Sequence, residues 1–200
     1  MKKLLALSLT LVGLFATATA NKPELANDVP APMAIGTTVD DFNLPDANGK
    51  DQSLNSLKGK NGTVLIFVAT KCPVSNAYNE RMEKLAQDYK AKGINVLGIN
   101  SNVAELAAEV KSHAETNKLT FTILKDGGNK IADVFGATVT PEAFFLDASN
   151  KLVYRGRIDN ARDTTQVVSS DLRDALDAAL AGKPIAKSTA TAFGCTIKRA

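Results

Sequence analysis

The chain has 200 residues, 24 Lys and Arg against 21 Asp and Glu, a formal charge of +3, 44% hydrophobic residues, two cysteines and one histidine. A charge so close to balance leaves no electrostatic case for nucleic acid as a partner. With His113 alone and no Cys/His cluster, a zinc site of the usual type is not available.

Taken in chain order, Lys2 and Lys3 precede an apolar run from Leu4 to Phe15, and small residues follow to Ala18-Thr19-Ala20. This is the pattern of a secretory signal peptide with cleavage after Ala20. The run is shorter than the roughly 20 residues needed to span a bilayer, so no stable membrane insertion is expected after cleavage. The reading is a periplasmic or secreted protein beginning at Asn21. Its charge drops from +3 to +1 with the loss of the two lysines. In an oxidising compartment the pair Cys72 and Cys195 invites a disulfide reading. Residues 21–35 read as an arm rich in Pro and Ala, 36–182 as one domain, and 183–200 as a tail carrying Cys195.

Phe42-Asn43-Leu44 and Gln52-Ser53-Leu54 flank Asn48-Gly49, which predicts a hairpin closed by a type I′ turn. Thr63 to Ala69 is an almost unbroken apolar run with β-branched residues, the signature of a strand buried on both faces. Tyr78, Met82, Leu85 and Tyr89 then recur at helical spacing, predicting one helix from about Pro73 to Ala91, with proline at its first position. A second strand over 94–99, a helix over 103–116, a strand over 121–124 and a short helix over 131–135 follow. Strands at 143–146 and 152–154 surround a turn at Ser149-Asn150. Ser170 is placed to cap a last helix carrying Leu172, Leu176 and Leu180, closed by Gly182.

Hairpin, βαβαβ, short helix, β-hairpin, helix is an α/β order. It places a parallel crossover unit beside an antiparallel pair. The combination is that of the thioredoxin fold, a central mixed β-sheet flanked by helices on both faces, here with an N-terminal β-hairpin extension.

The junction Phe67-Val68-Ala69-Thr70-Lys71-Cys72-Pro73-Val74-Ser75 resembles the active-site turn of thioredoxin-like proteins, and Val139-Thr140-Pro141-Glu142-Ala143-Phe144-Phe145-Leu146-Asp147 resembles their cis-proline strand. The similarity runs from about Ile35 to Leu180 and is nearest to the peroxiredoxin-like branch of the redoxins, the AhpC/TSA-type proteins. The resemblance implies a thiol-based oxidoreductase or antioxidant needing no cofactor, with exported protein thiols and disulfides or small peroxides as partners and a reductant of unknown kind. It also implies a cis bond at Thr140-Pro141, and a Thr140 backbone free to pair with an extended substrate strand. Two departures matter. Ser75 stands where a second motif cysteine is expected, and a hydroxyl cannot resolve a mixed disulfide. Ala69 and Leu65 stand where the peroxiredoxin pattern Pro-x-x-x-Thr/Ser-x-x-Cys has its hydroxyl residue and its proline.

Cys72 is the candidate nucleophile: at the start of a helix, free amides and the positive end of the macrodipole favour thiolate over thiol, and neighbouring Lys71 adds positive charge if it faces the sulfur. Pro73 and Ser75 complete the supporting turn. The bland alternative is a small buried hydrophobe. Cys195 lies past the last helix in a segment of flexible composition. Three roles stay open for it: a resolving partner for Cys72, a static disulfide, or a link between molecules. A closed Cys72–Cys195 loop of more than about a hundred residues carries roughly 5 kcal/mol by loop-closure arguments. The corresponding functions are thiol-disulfide exchange, thiol peroxidase activity, and a binding module merely braced by the bond. His113 reads as a surface residue, and Arg155 and Arg157 as edge-strand cations.

Overall fold

The structure, a computed structural model, describes residues 30–199; the expected signal peptide and the arm up to residue 29 lie outside the described residues. The chain opens with an antiparallel pair, β1 (Asn43–Pro45) and β2 (Asp51–Ser53). Its turn is not the expected type I′, because Gly49 is left-handed (φ +81°) and Asn48 is not. Asp46 is the reason: its carboxylate accepts from Asn48 N (2.8 Å) and Lys50 N (3.0 Å), a side-chain acceptor that organises the loop without a second left-handed residue. Ser53 then caps the single-turn helix α1 (Leu54–Leu57) through a reciprocal pair with Ser56.

The apolar run forms β3 (Gly62–Phe67), buried at every position. The single helix expected over 73–91 is two, α2 (Pro73–Ala77) and α3 (Asn79–Lys90), which break at Tyr78 (φ −98°, ψ −3°). Tyr78 is buried, with its hydroxyl on Asp159 (2.7 Å) and the Arg81 guanidinium 3.5 Å over its ring, so tertiary partners set the backbone there. β4 (Ile94–Asn100) follows, then α4 (Ala107–Thr116), which begins four residues later than its periodicity predicts. The remaining elements are β5 (Ile123–Lys125), α5 (Lys130–Phe135), β6 (Val139–Thr140), β7 (Glu142–Leu146), β8 (Leu152–Gly156), α6 (Asp171–Leu180) and β9 (Cys195–Thr196).

Five strands form one mixed sheet in the order β5-β4-β3-β7-β8, parallel through β5, β4 and β3 and antiparallel from β3 onward. Successive residues of β3 serve opposite layers. Val64 and Ile66 join Tyr78, Met82, Leu85, Tyr89, Leu172 and Leu176 on one side. Leu65 and Phe67 join Leu54, Ile131, Phe135 and Phe144 on the other. Coverage of both faces is why β3 reads as continuous apolar sequence and does not alternate. This is the thioredoxin fold expected from the sequence. Among the described residues no helix is long and apolar enough to cross a membrane.

The tail is packed against the domain. After α6 it is tied at Lys187, whose ammonium pairs with Asp171 (2.6 Å), and at Arg155, which exchanges backbone hydrogen bonds with Ser188 and Ala190. Gly156 permits that approach, because a Cβ there would strike the Ala190 carbonyl. Ile197 is then buried in the α5-side core, and Arg199 reaches Asp133 and the Ala137 carbonyl. Composition suggested mobility because the tail's polar groups have no partners within the tail itself; they find them on the domain.

Burial pushes the Asp171 carboxyl up, but hydrogen bonds from Arg157, Lys187 and Ser169 outweigh it and bring its pKa to about 2. Since the folded value lies below that of an unfolded aspartate, about 3.9, the contribution is present above that value and lost as pH falls toward 2. Asp171→Asn is expected to lower the urea midpoint at neutral pH, with the gap to wild type closing on acidification from about pH 5 to pH 2. A gap that is independent of pH in urea titrations would exclude the ion pairs as its origin.

Candidate active site

The parallel strands β3 and β4 end together, and the loops that follow them meet the β6–β7 connection; the carboxyl ends of parallel strands are where such sheets leave a crevice. Cys72 occupies the N-cap of α2. It is 3% exposed, its Sγ accepts from Ser75 N (3.2 Å), and the Thr140 carbonyl oxygen lies 3.4 Å from the sulfur. The Ser75 side chain points the other way, its Oγ accepting from Ala69 N (3.2 Å) and closing the turn on itself. The serine in the second motif position is therefore a structural brace. Pro73, with no amide hydrogen to satisfy, sits at the first position of α2.

Cys195 is joined to Cys72 by a disulfide across a sequence separation of 123, with Cα atoms 5.8 Å apart. The bond is positioned by strand pairing: β9 lies antiparallel to β6, with Thr140 opposite Cys195 and Val139 opposite Thr196. Ile197 N donates to the Thr138 carbonyl (2.9 Å). A Cβ at Gly194 would strike the Thr140 carbonyl, so the residue before the cysteine has to be glycine for β9 to come this close. Phe193 packs edge-on to Tyr78, ring centroids 6.2 Å apart. The Thr140-Pro141 bond is cis, as the resemblance implied. The Thr140 backbone expected to be open to a substrate strand is instead occupied by the protein's own tail.

Lys71 does not face the sulfur. Its ammonium pairs with Glu109 of α4 (3.0 Å) and with the Ala104 carbonyl (3.2 Å), so the favourable charge on Cys72 considered from the sequence is not delivered. His113 reaches Asn76 of α2 through its Nε2 (2.9 Å), and Asn76 donates to the Thr70 carbonyl (2.9 Å). Burial pushes the His113 imidazole down. Arg157 is spent on Asp171, 2.7 Å away.

The residue that sequence reading missed is Glu105. It is 3% exposed and lies in the loop that delays α4. One carboxylate oxygen accepts from Thr70 N (2.9 Å) and Asn100 Nδ2 (2.6 Å), the other from Lys71 N (3.0 Å). A buried carboxylate thus grips the two amides preceding Cys72, charge-assisted bonds stronger than neutral ones. The Lys125 ammonium, pushed down by burial, bonds the Asn100 side chain (2.9 Å) and supplies compensating charge. The same loop holds the tail: Asn102 Oδ1 accepts from Lys198 N (2.8 Å), and Val103 N donates to the Lys198 carbonyl (3.1 Å). The signal available in sequence was the polar run Asn100-Ser101-Asn102 ending a buried strand, which has no packing explanation.

Fold and site together define a thioredoxin-fold protein with one motif cysteine joined to a cysteine on a C-terminal strand. The AhpC/TSA family model matches residues 35–155, and the chain belongs to this family. It is similar to the thiol-disulfide oxidoreductase ResA of Geobacillus thermodenitrificans strain NG80-2, 31% identical over 120 residues that span 60% of this chain and 67% of that protein. Among solved structures, a hypothetical protein of Sinorhizobium meliloti 1021 matches with TM-score 0.79 and 34% identity, covering 85% of this chain and 97% of that one. An uncharacterized conserved protein of Geobacillus kaustophilus matches with TM-score 0.78 and 30% identity, over 84% of this chain and 93% of the other.

Removing the Glu105 side chain would leave the Thr70 and Lys71 amides, part-buried, and the buried Asn100 side-chain amide without their acceptor, a buried donor left unmet costing of order 1–3 kcal/mol. Glu105→Ala is expected to destabilise the fold by about 3 kcal/mol in urea unfolding, and Glu105→Gln by less, since its single carbonyl oxygen can still accept. Equal losses for the two variants would show that the hydrogen bonds are not what matters.

Proposed function

We propose that the protein is an exported thiol-disulfide oxidoreductase acting through Cys72, with Cys195 as its resolving cysteine and disulfides of exported proteins as its substrates. The observation that carries this reading is the junction of the two sulfurs at the N-cap of α2, where Ser75 N–H is aimed at Cys72 Sγ. An amide aimed at the sulfur stabilises negative charge on it and so favours the thiolate, the form that attacks disulfides. The similarity to ResA over two thirds of that protein supports the same assignment. Export rests on the sequence pattern of residues 1–20.

In the reduced protein the Cys72 thiolate attacks one sulfur of the substrate disulfide, forms a mixed disulfide and expels the other substrate sulfur as a thiolate. The Cys195 thiolate then attacks Cys72 Sγ, the Cys72–Cys195 bond forms, and the second substrate sulfur departs. Two electrons pass to the substrate, and each expelled thiolate takes a proton from water. Thr140 and Pro141 contribute by holding β9, and therefore Cys195, against Cys72. Leu65 and Ala69 are buried apolar residues and supply no hydroxyl where a peroxidase of this family would place one, which favours exchange over peroxide reduction.

The test is a reductive assay with an oxidised peptide and a dithiol as electron source. Cys72→Ser is expected to lose activity at least a hundredfold. Cys195→Ser is expected to capture the peptide as a mixed disulfide on Cys72, visible by intact mass, without turning over. Full activity of Cys72→Ser would overturn the assignment, and faster thiol loss with hydrogen peroxide than with peptide would redirect it to a peroxidase.

A further inference from the structure

Arg155, read from the sequence as an edge-strand cation, has no counter-ion. Among the described residues its guanidinium enters no ion pair and no hydrogen bond, and its Nε is buried without an acceptor. Arg155 of β8 lies opposite Phe144 of β7, which puts Glu142, two residues before Phe144, on the same face of the sheet. Glu142 is 7% exposed; its Oε2 accepts from Thr138 N (2.8 Å) and Val139 N (3.4 Å), and no described residue donates to its Oε1. Burial pushes this carboxyl up, outweighing the two amides and the attraction of Arg155 and Arg199. Neither arginine closes on it, because Arg199 is held by Asp133 and the Ala137 carbonyl and Arg155 pairs with nothing.

Both groups line one cavity of about 330 Å³, whose other walls include Pro32 of the arm, Thr138 and tail residues 189–192. The walls are held close by backbone contacts. A Cβ at Gly136 would strike the Ala31 carbonyl and one at Gly156 the Ala190 carbonyl, so two glycines let the arm and the tail close over this edge of the sheet. The volume lies at the lower end of the range for small-molecule sites, roughly 300–1,000 Å³. A lone anion in the cavity would be drawn by Arg155 and repelled by Glu142, and a lone cation the reverse. A ligand that carries both charges meets both groups.

We propose that this cavity binds a free amino acid, with the ligand carboxylate on the Arg155 guanidinium and the ligand ammonium on Glu142 Oε1. The guanidinium fork matches a carboxylate, and its unmet donors gain acceptors. An ammonium carries three donors, one for Oε1 and the others for the hydroxyls of Thr138, Thr189 and Thr191, which line the same space. The site goes beyond the exchange reading: binding moves no electrons and uses neither sulfur.

The experiment titrates the oxidised full-length protein by calorimetry with L-alanine, L-leucine and L-glutamate, and with propionate, propylammonium and inorganic phosphate as probes lacking the paired charges. The expected result is one-to-one binding of at least one of the amino acids, at least tenfold tighter than any of the other three probes. Arg155→Met and Glu142→Gln, which keep the side-chain reach, are expected to weaken that binding at least tenfold each. Propionate, propylammonium or phosphate bound as tightly as the amino acids would make this a site for a single charge and overturn the proposal. Binding undiminished in either variant overturns it too, as does no binding of any of the three amino acids up to about 10 mM. Should a variant fail to fold, the comparison of probes on the wild-type protein still decides. The peptide-reduction assay with Cys72→Ser reads the exchange function separately from every one of these outcomes.

Discussion

Thr140 is the residue to which both sulfurs are referred. Its carbonyl lies 3.4 Å from Cys72 Sγ, and its backbone is paired across the β6–β9 ladder with Cys195. A two-residue strand followed by a proline therefore sets the separation of two cysteines 123 residues apart in sequence. Closing so long a loop has a large entropic cost in the unfolded chain, and non-covalent contacts at Ile197, Lys198 and Arg199 hold the tail in place alongside the bond.

That arrangement persists because two segments far apart in sequence are held by one loop. Glu105 grips the amides of the turn before Cys72, while Asn102 and Val103 grip Lys198 beyond Cys195. The delay in the start of α4 is what makes the loop available. Burying a carboxylate is costly unless it is fully hydrogen-bonded, and Glu105 meets that condition with three donors and a nearby ammonium. Those bonds fix the turn that carries Cys72, and with it the position of the sulfur bonded to Cys195.

The loss of the usual second motif cysteine has a structural counterpart. Ser75 donates its amide to Cys72 and turns its hydroxyl inward to Ala69, so the position has a geometric role in the turn. The sulfur bonded to Cys72 instead comes from a strand that arrives from the C-terminus with its own requirements: glycine at 194 for close approach to Thr140, and an apolar Ile197 to seal it to the core. Lys71, by contrast, is drawn to Glu109 and contributes to the hold on α4 and not to the sulfur.

Much of the architecture was legible in local pattern. The apolar run at β3, the helical stripe of Met82, Leu85 and Tyr89, and the Cys-Pro pair at a strand-to-helix junction each follow from burial periodicity and the backbone preferences of proline, properties of a few neighbouring residues. What only the tertiary structure decided involves partners distant in sequence. Tyr78 interrupts a helix because Asp159 and the Ala161 carbonyl hold its hydroxyl. Glu105 becomes part of the site because folding brings it to Thr70 and Lys71. The tail is ordered because its amides and apolar side chain are matched by β6, β8 and the β4–α4 loop. Composition reports what a segment can bury by itself, whereas docking depends on surfaces that exist only once the rest of the chain has folded.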